Sequence, residues 1–338
     1  MASEHLVFDH EQVRIHGFEL YEGTALDVRA VIAGMPHDVK DGFRVHEVSF
    51  GRFHHAHGGP GDDVPELLTR LRATDTDASE SALEKLWDHL VHQGTVGSVA
   101  PLTVPFLLRV AADPAAHHRS STIRLANAVA RQQHWGFGTR KTFLRVAEQS
   151  WSCDCSGYAM NWSIEASRNA ITADVDLLLP HLDDPDPEVR ICACYALATA
   201  SGGAHRIART LRTRLATEQN PAVRASLVLA VAELAVENTD LRVAPWARTL
   251  WTEPAQPPEV RVSAALAWLC LVDDPVPHEL RTTLDALVTD DLVDLFDGVP
   301  WTAHVDERGL VRTLAQMLDG AKPGVVDPWD DLSDDVWA

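Results

Sequence analysis

The sequence predicts an all-α fold: a right-handed α-solenoid of stacked helical hairpins, carrying a small irregular or β-containing N-terminal cap. Three observations predict it. Pro187-Glu188-Val189-Arg190, Pro221-Ala222-Val223-Arg224 and Pro258-Glu259-Val260-Arg261 repeat one motif, with the prolines 34 and 37 residues apart. Each motif opens a run of small and apolar residues: Ala193, Ala196 and Leu197; then Leu227, Ala230 and Val231; then Ala264, Ala267 and Trp268. Spacing by three and four places each set on one face of a helix. The interval between anchors holds two helices and a turn, and such a hairpin buries its stripe only by stacking on its neighbours.

The elements follow in order. Residues 1–60 stand outside the repeat and read as a cap. Within them Val13-Arg14-Ile15-His16 and Phe43 to Phe50 alternate like short strands, and Gly58-Gly59-Pro60-Gly61 marks the join to the first helix. The solenoid is expected over 61–320. Its first pair is Val64 to Leu71 with Ser79 to His92, closed by Gly94 as a C-cap, and its second is Thr103 to Ala112 with His117 to Gln133. Residues 134–162 interrupt the pattern with loop-like segments around Trp135 and Trp151. Asp174 to Leu182, a tight turn at Asp183 to Pro187, and Val189 to Ala200 form the clearest hairpin. Proline suits the first helical turn because its missing N–H has no partner there in any case. Residues 321–338 form an acidic tail bearing Trp329 and Trp337.

Composition bounds the function. The N-terminus lacks a basic start followed by an apolar run, and the longest apolar stretch, Ala225 to Val236, is too short for a bilayer and contains Glu233. Five cysteines without an export signal suit a reducing compartment, so a soluble cytoplasmic protein with no membrane association is expected. The net charge of −20 argues against duplex nucleic acid, whose binding rests on cations that displace counterions. Charge is also unevenly placed. Val272 to Ala338 carries sixteen acids against four bases, whereas no acid occurs between Asp113 and Glu148. An acidic surface of this kind suits a basic protein partner.

The candidate binding residues gather in the acid-free middle. Arg119, Arg124, Arg131, Arg140, Lys141 and Arg145 lie near Trp135, Trp151 and Trp162. Guanidinium groups beside aromatic rings suit a phosphate, a nucleotide or an acidic protein, and a small anionic ligand stays open; pairing with the chain's own acids is the competing reading. Trp87, His92 and Gln93, with His89, form a second polar group, either closing a helix end or facing a partner. Arg190, Arg224 and Arg261 recur at one repeat position and read as a ladder to turn acids or carbonyls, with Asp184, Asp186, Asn220 and Gln256 near. His54, His55 and His57 invite a metal, but on a strand 55 and 57 face one way and 54 the other, so one three-histidine site is awkward. Cys153 and Cys155, and Cys192 and Cys194, are each two apart, a spacing unlike zinc motifs, and read as inert thiols. No metal and no cofactor is expected.

The repeated residues resemble HEAT repeats, in the short bacterial form also seen in phycobilisome-lyase-like proteins. His55-Ala56-His57-Gly58, Asp63-Val64-Pro65, Leu67-Leu68, His92-Gln93-Gly94-Thr95 and Val104-Pro105-Phe106-Leu107 resemble a family of bacterial HEAT-repeat proteins of unestablished function. Together the resemblances span roughly residues 50–290; they imply the fold and carry over no catalytic residue. No nucleotide-binding glycine loop, His-Glu-x-x-His pair or Gly-x-Ser-x-Gly elbow occurs. The function expected is therefore a non-enzymatic scaffold gripping a protein on its concave face, in one version an immunity or antidote protein covering a basic toxin. The alternative is an enzyme or ligand-binding protein that takes a phosphorylated or nucleobase-containing substrate through residues 119–165. A lyase-like chaperone for a chromophore ranks last.

Overall fold

The computed structural model describes residues 27–132, 138–147, 152–303 and 309–319. It opens with α1 (Val28–Ala33) and α2 (His37–Asp41), followed by single 3-10 turns at Val45–Glu47 and Phe50–Arg52. The alternation of Phe43 to Phe50 therefore makes no strand. Phe43 takes a left-handed backbone (φ 50°), which breaks an extended run, and the turns after it let Val45 and Phe50 both reach the core. The cap is irregular and helical here. The strand expected at Val13 to His16 lies outside the described residues.

Next come α3 (Val64–Leu71) and α4 (Thr76–Leu90), a hairpin, and then β1 (Val91–His92) and β2 (Thr95–Val96), an antiparallel ribbon. Gln93 and Gly94 connect the strands with φ of 46° and 81°. Two successive left-handed residues make the turn whose twist matches a two-residue hairpin. Gly94 is thus a ribbon turn and not the helix C-cap the sequence suggests; the helix ends earlier, at Leu90.

From there the chain is helical: α5 (Ala100–Ala112), α6 (Arg119–Ala128), α7 (Met160–Ala173), α8 (Val175–Leu178) running into a 3-10 turn at Leu179–Asp183, and α9 (Pro187–Ala198). It continues through α10 (Ala204–Leu215), α11 (Pro221–Glu237), α12 (Val243–Thr252), α13 (Pro258–Leu271), α14 (His278–Leu287), α15 (Asp290–Asp297), α16 (Pro300–Ala303) and α17 (Gly309–Asp319). Helices α6, α9, α11 and α13 pack in series as an inner row, while α10 and α12 lie outside against their hairpin mates. The architecture is an all-α, HEAT-like solenoid with its core between the rows.

The two rows differ in sequence as they do in burial. In α10 only Ile207 and Leu211 are buried, a narrow stripe on an otherwise polar helix rich in arginine. In α9 every residue from Val189 to Ala198 is buried, and α11 is covered almost all round. Ala193, Ala196, Ala230, Ala264 and Ala267 are fully buried, and their small side chains let neighbouring helices approach closely. Two of the three repeat helices are capped by the residue before the proline: Asp186 accepts from Glu188 N–H, and Asn220 accepts from Val223 N–H, whereas Pro257 before α13 makes no such bond.

A helix buried on all sides needs cover on both. The C-terminal helices supply it. α15 packs on α11 and α16 on α9, so the chain folds back over the inner row. No helix among the described residues is long and apolar enough to cross a membrane.

Candidate functional site

The recurrent arginines form a ladder between repeats. Arg190 Nε donates to Glu218 Oε2 at 3.0 Å in the turn of the next hairpin, and its Nη1 donates to the carbonyls of Asp184 and Pro185. Arg224 Nε donates to Glu259 Oε1 at 2.6 Å, again one repeat onward. Arg261 Nε instead donates to the Trp251 carbonyl at 3.1 Å, capping the end of α12. Glu218 and Glu259 are buried, and the ladder explains why acids can be buried there.

The arginines of the 119–165 region are placed by internal partners and do not gather into one patch. Arg119, at the start of α6, donates to Asp184 Oδ2 at 2.7 Å and to the Ala111 carbonyl at 2.9 Å. Arg131, beyond the other end of α6, is buried: it lies 3.6 Å above the Tyr195 ring and donates to Glu233 Oε1 at 2.8 Å. Burial alone would lower the Arg131 pKa, and the facing Glu233 carboxylate overrides it and raises it. Trp301 Nε1 of α16 donates to the other Glu233 oxygen at 2.5 Å, and its ring meets Tyr195 edge to face at 4.6 Å. Arg140 closes the end of α13 by donating to the carbonyls of Leu269, Val272 and Asp274. Arg124 makes an exposed pair with Glu188 and also contacts the Cys192 thiol, and Lys141 and Arg145 are exposed. Trp162 is 8% exposed beneath the Arg29 guanidinium, 4.1 Å from its ring. Trp135 and Trp151 lie outside the described residues.

Sequence reasoning passed over Glu233 and Trp301. A single acid in the apolar run Ala225 to Val236 was the available signal, because a carboxylate there needs a cation to meet it. Cys192 and Cys194 are buried in α9, whereas Cys155 is exposed. Burial raises the thiol pKa of both Cys192 and Cys194 and keeps them protonated.

A different grouping appears where the first hairpin meets the cap. The segment 54–60 is a tight loop, bridged at His54 and Pro60 and closed by His55 N–H donating to the Gly59 carbonyl at 2.6 Å. Backbone bonds pin it: Ala56 N–H donates to the His89 carbonyl at 2.7 Å, and Val99 N–H donates to the His54 carbonyl at 3.1 Å. Gly97 permits this approach, since a Cβ there would stand 2.6 Å from Ala56 N. Ala56 is wholly buried, so His55 and His57 on either side of it face the opposite way, toward the end of α4. There His55 stacks on His89, ring centres 4.0 Å apart, and His57 meets His92 at 3.9 Å. Asp63 stands 3.0 Å from His55 Nε2 and 3.4 Å from His89 Nδ1; Asp88 stands 3.2 Å from His57 Nε2. Trp87 packs half-buried on the core nearby, and Gln93 is exposed in the ribbon turn. Burial, and then the neighbouring His89, hold the His55 pKa below the ordinary histidine value. The two histidine pairs were each visible in the sequence; that they face one another was not, because the stacked partners lie 34 and 35 positions apart, across the hairpin of α3 and α4.

Comparison with known families identifies one hairpin. Residues 175–201, which take in α8, its 3-10 turn and α9, match the HEAT repeat family model. The chain matches no curated protein and no solved structure. The matched hairpin is the one from which α11 and α13 repeat, and the fold as a whole is that of a HEAT-like helical-repeat protein.

Proposed function

We propose that the chain is a non-enzymatic scaffold that binds a basic protein partner through the acidic outer surface of α14 and α15. HEAT repeats in general serve as helical surfaces for protein interaction, and this chain offers one with an evident charge preference. The observation that carries the reading is the exposure of Asp273, Asp274, Glu279, Asp285, Asp291, Asp294 and Asp297, whose carboxylates enter no ion pair among the described residues. Between Asp273 and Asp297, a stretch of 25 residues, these seven acids stand unpaired together, and a concentration of one sign on one surface suits an oppositely charged molecule. The partner is placed on this outer surface because the inner faces of α9 and α11 are covered by α15 and α16. A basic toxin whose nucleic-acid-binding cleft is covered by this face belongs to the partner class. A ligand site in the 119–165 region has less support, since Arg119, Arg131 and Arg140 are engaged within the chain.

Charge reversal tests the proposal. The Asp285→Lys, Asp291→Lys, Asp294→Lys, Asp297→Lys variant should keep its helical circular dichroism yet lose a cross-linked partner that the unaltered chain captures at low salt. That partner should also release as salt is raised. A partner held equally by both proteins, at any salt, would refute this assignment of the surface.

A further inference from the structure

The histidine-rich loop and the end of the first helical hairpin hold six side chains in two sets, and neither the repeat architecture nor the acidic surface uses them. In the first set His55, Asp63 and His89 each present one ligand atom, and these atoms all lie within 4.8 Å of one another; His57, Asp88 and His92 do the same in the second. Two imidazoles and one carboxylate are the donor set of a first-row transition ion, not of calcium or magnesium, which take oxygen.

Four details separate the first set from a chance surface cluster. His55 Nε2 and His89 Nδ1 are buried ring nitrogens with no aligned hydrogen bond among the described residues, although both lie within ion-pair distance of Asp63. Both nitrogens turn toward the Asp63 carboxylate, which brings three potential ligand atoms together. His55 Nε2 lies 3.0 Å from Asp63 Oδ1 and His89 Nδ1 lies 3.4 Å from Asp63 Oδ2, within the ligand-to-ligand range of about 3.0–3.5 Å set by metal bonds of about 2.0–2.2 Å. Asp63 is the N-cap residue of α3, yet its carboxylate makes no capping bond; it forgoes the usual role of an aspartate there and turns to the two rings. Finally, the two rings are stacked with centres 4.0 Å apart and 19° between their planes, which holds both imidazoles in register on one side of the carboxylate.

The geometry points to a divalent transition-metal centre held by His55 Nε2, His89 Nδ1 and Asp63, with a second ion position beside it at His57, Asp88 and His92. The two positions are neighbours by construction: His55 and His57 flank Ala56 on one loop, and Asp88 and His89 are consecutive at the end of α4. Three protein ligands leave coordination positions for water, and Asp63, His57 and Asp88 are solvent-exposed, so those positions are open to exchange. The second set is the more exposed and is the weaker of the two.

Zinc titration of the full-length, untagged, chelator-treated protein tests this, followed by calorimetry and by metal analysis after gel filtration. Two equivalents should bind. Asp63→Asn, an exposed change that spares the packing of both rings, should remove one equivalent or weaken it about 100-fold. Asp88→Asn should remove the other, and His55→Ala with His92→Ala should remove both while cobalt loses its ligand-field absorption. Loss on Asp63→Asn alone, with Asp88→Asn silent, would keep the first position and overturn the second. Absence of saturable binding, or two equivalents retained by the His55→Ala, His92→Ala protein, would overturn the whole assignment, placing any uptake on other histidines.

Discussion

Glu233 has no solvent exposure and sits in the middle of an apolar helix, so its charge is tolerable only because Arg131 and Trp301 both donate to it. Removing one partner strands the other. Glu233→Gln or Arg131→Met should each cost about 3–5 kcal/mol in denaturant unfolding. The Arg131→Met, Glu233→Met double variant should cost clearly less than the two singles added together, and simple additivity would show that the pair is not coupled. A second residue-scale effect concerns pH. Arg119 Nη2 donates to His181 Nδ1 at 3.2 Å, and since arginine cannot accept, Nδ1 must carry the lone pair. Burial and then the Arg119 charge lower the His181 pKa, against a smaller opposing pull from Asp184. The unfolded chain therefore takes up this proton first as pH falls, and folding loses stability from about pH 6.5 downward. Asp184 and Glu218 shift downward too, but stability tied to them persists above their unfolded values and goes only below about pH 4.5. Unfolding midpoints between pH 7 and pH 5 should accordingly fall in the natural protein and fall less in His181→Leu, with His55, also lowered by burial, supplying part of what remains; a slope unchanged by the substitution would place the titration elsewhere.

At the scale of elements, the difference between what the sequence declares and what it conceals is one of range. The hairpins anchored by Pro187, Pro221 and Pro258 are legible because cap, proline and apolar spacing all act within a few residues. The ladder was legible in part: the recurrence of Arg190, Arg224 and Arg261 announces it, while Glu218 and Glu259 as its acceptors follow only once neighbouring turns are brought together. Phe43 to Phe50 misleads, since an alternating pattern says nothing about whether a second strand exists to pair with it. The histidine loop is the extreme case, because His55 and His89 meet through an approach that depends on Gly97, a residue with no chemistry of its own. That dependence can be measured. Gly97→Ala would put a methyl group 2.6 Å from Ala56 N and 2.7 Å from His55 C, so the loop must shift. The expected cost is about 1–3 kcal/mol. In the same variant the stacked ring resonances of His55 and His89 should move in nuclear magnetic resonance spectra while those of His205, on α10, stay in place.

Considered whole, the molecule is a row of repeats closed on its inner side by its own later helices. The inner wall is occupied from within the chain: α9 and α11 present Tyr195 and Glu233 there, and α16 meets them with Trp301. The charge separation seen along the chain follows the same division. Cations of the middle segment are used to tie elements together, with Arg131 holding α6 to α9 and α11, and Arg140 closing α13. Acids of α14 and α15 are left facing water. The C-terminal helices thus act both as a cover for the inner row and as the carrier of the acidic surface. Ending the chain after Val299 separates these roles, because α14 and α15 with their acids remain while Trp301 and α17 go. Such a truncation should leave most of the helical signal, since the inner and outer rows pack on each other, but should lower the unfolding midpoint and bind a hydrophobic dye at the uncovered Tyr195 and at the face of α15 that α17 leaves. Arg131 and Glu233 would keep each other. The loss should therefore be smaller than that of Glu233→Gln, which leaves a buried cation without its partner. A truncated chain that bound no dye and unfolded at the original midpoint would show that α16 and α17 merely rest on the repeats.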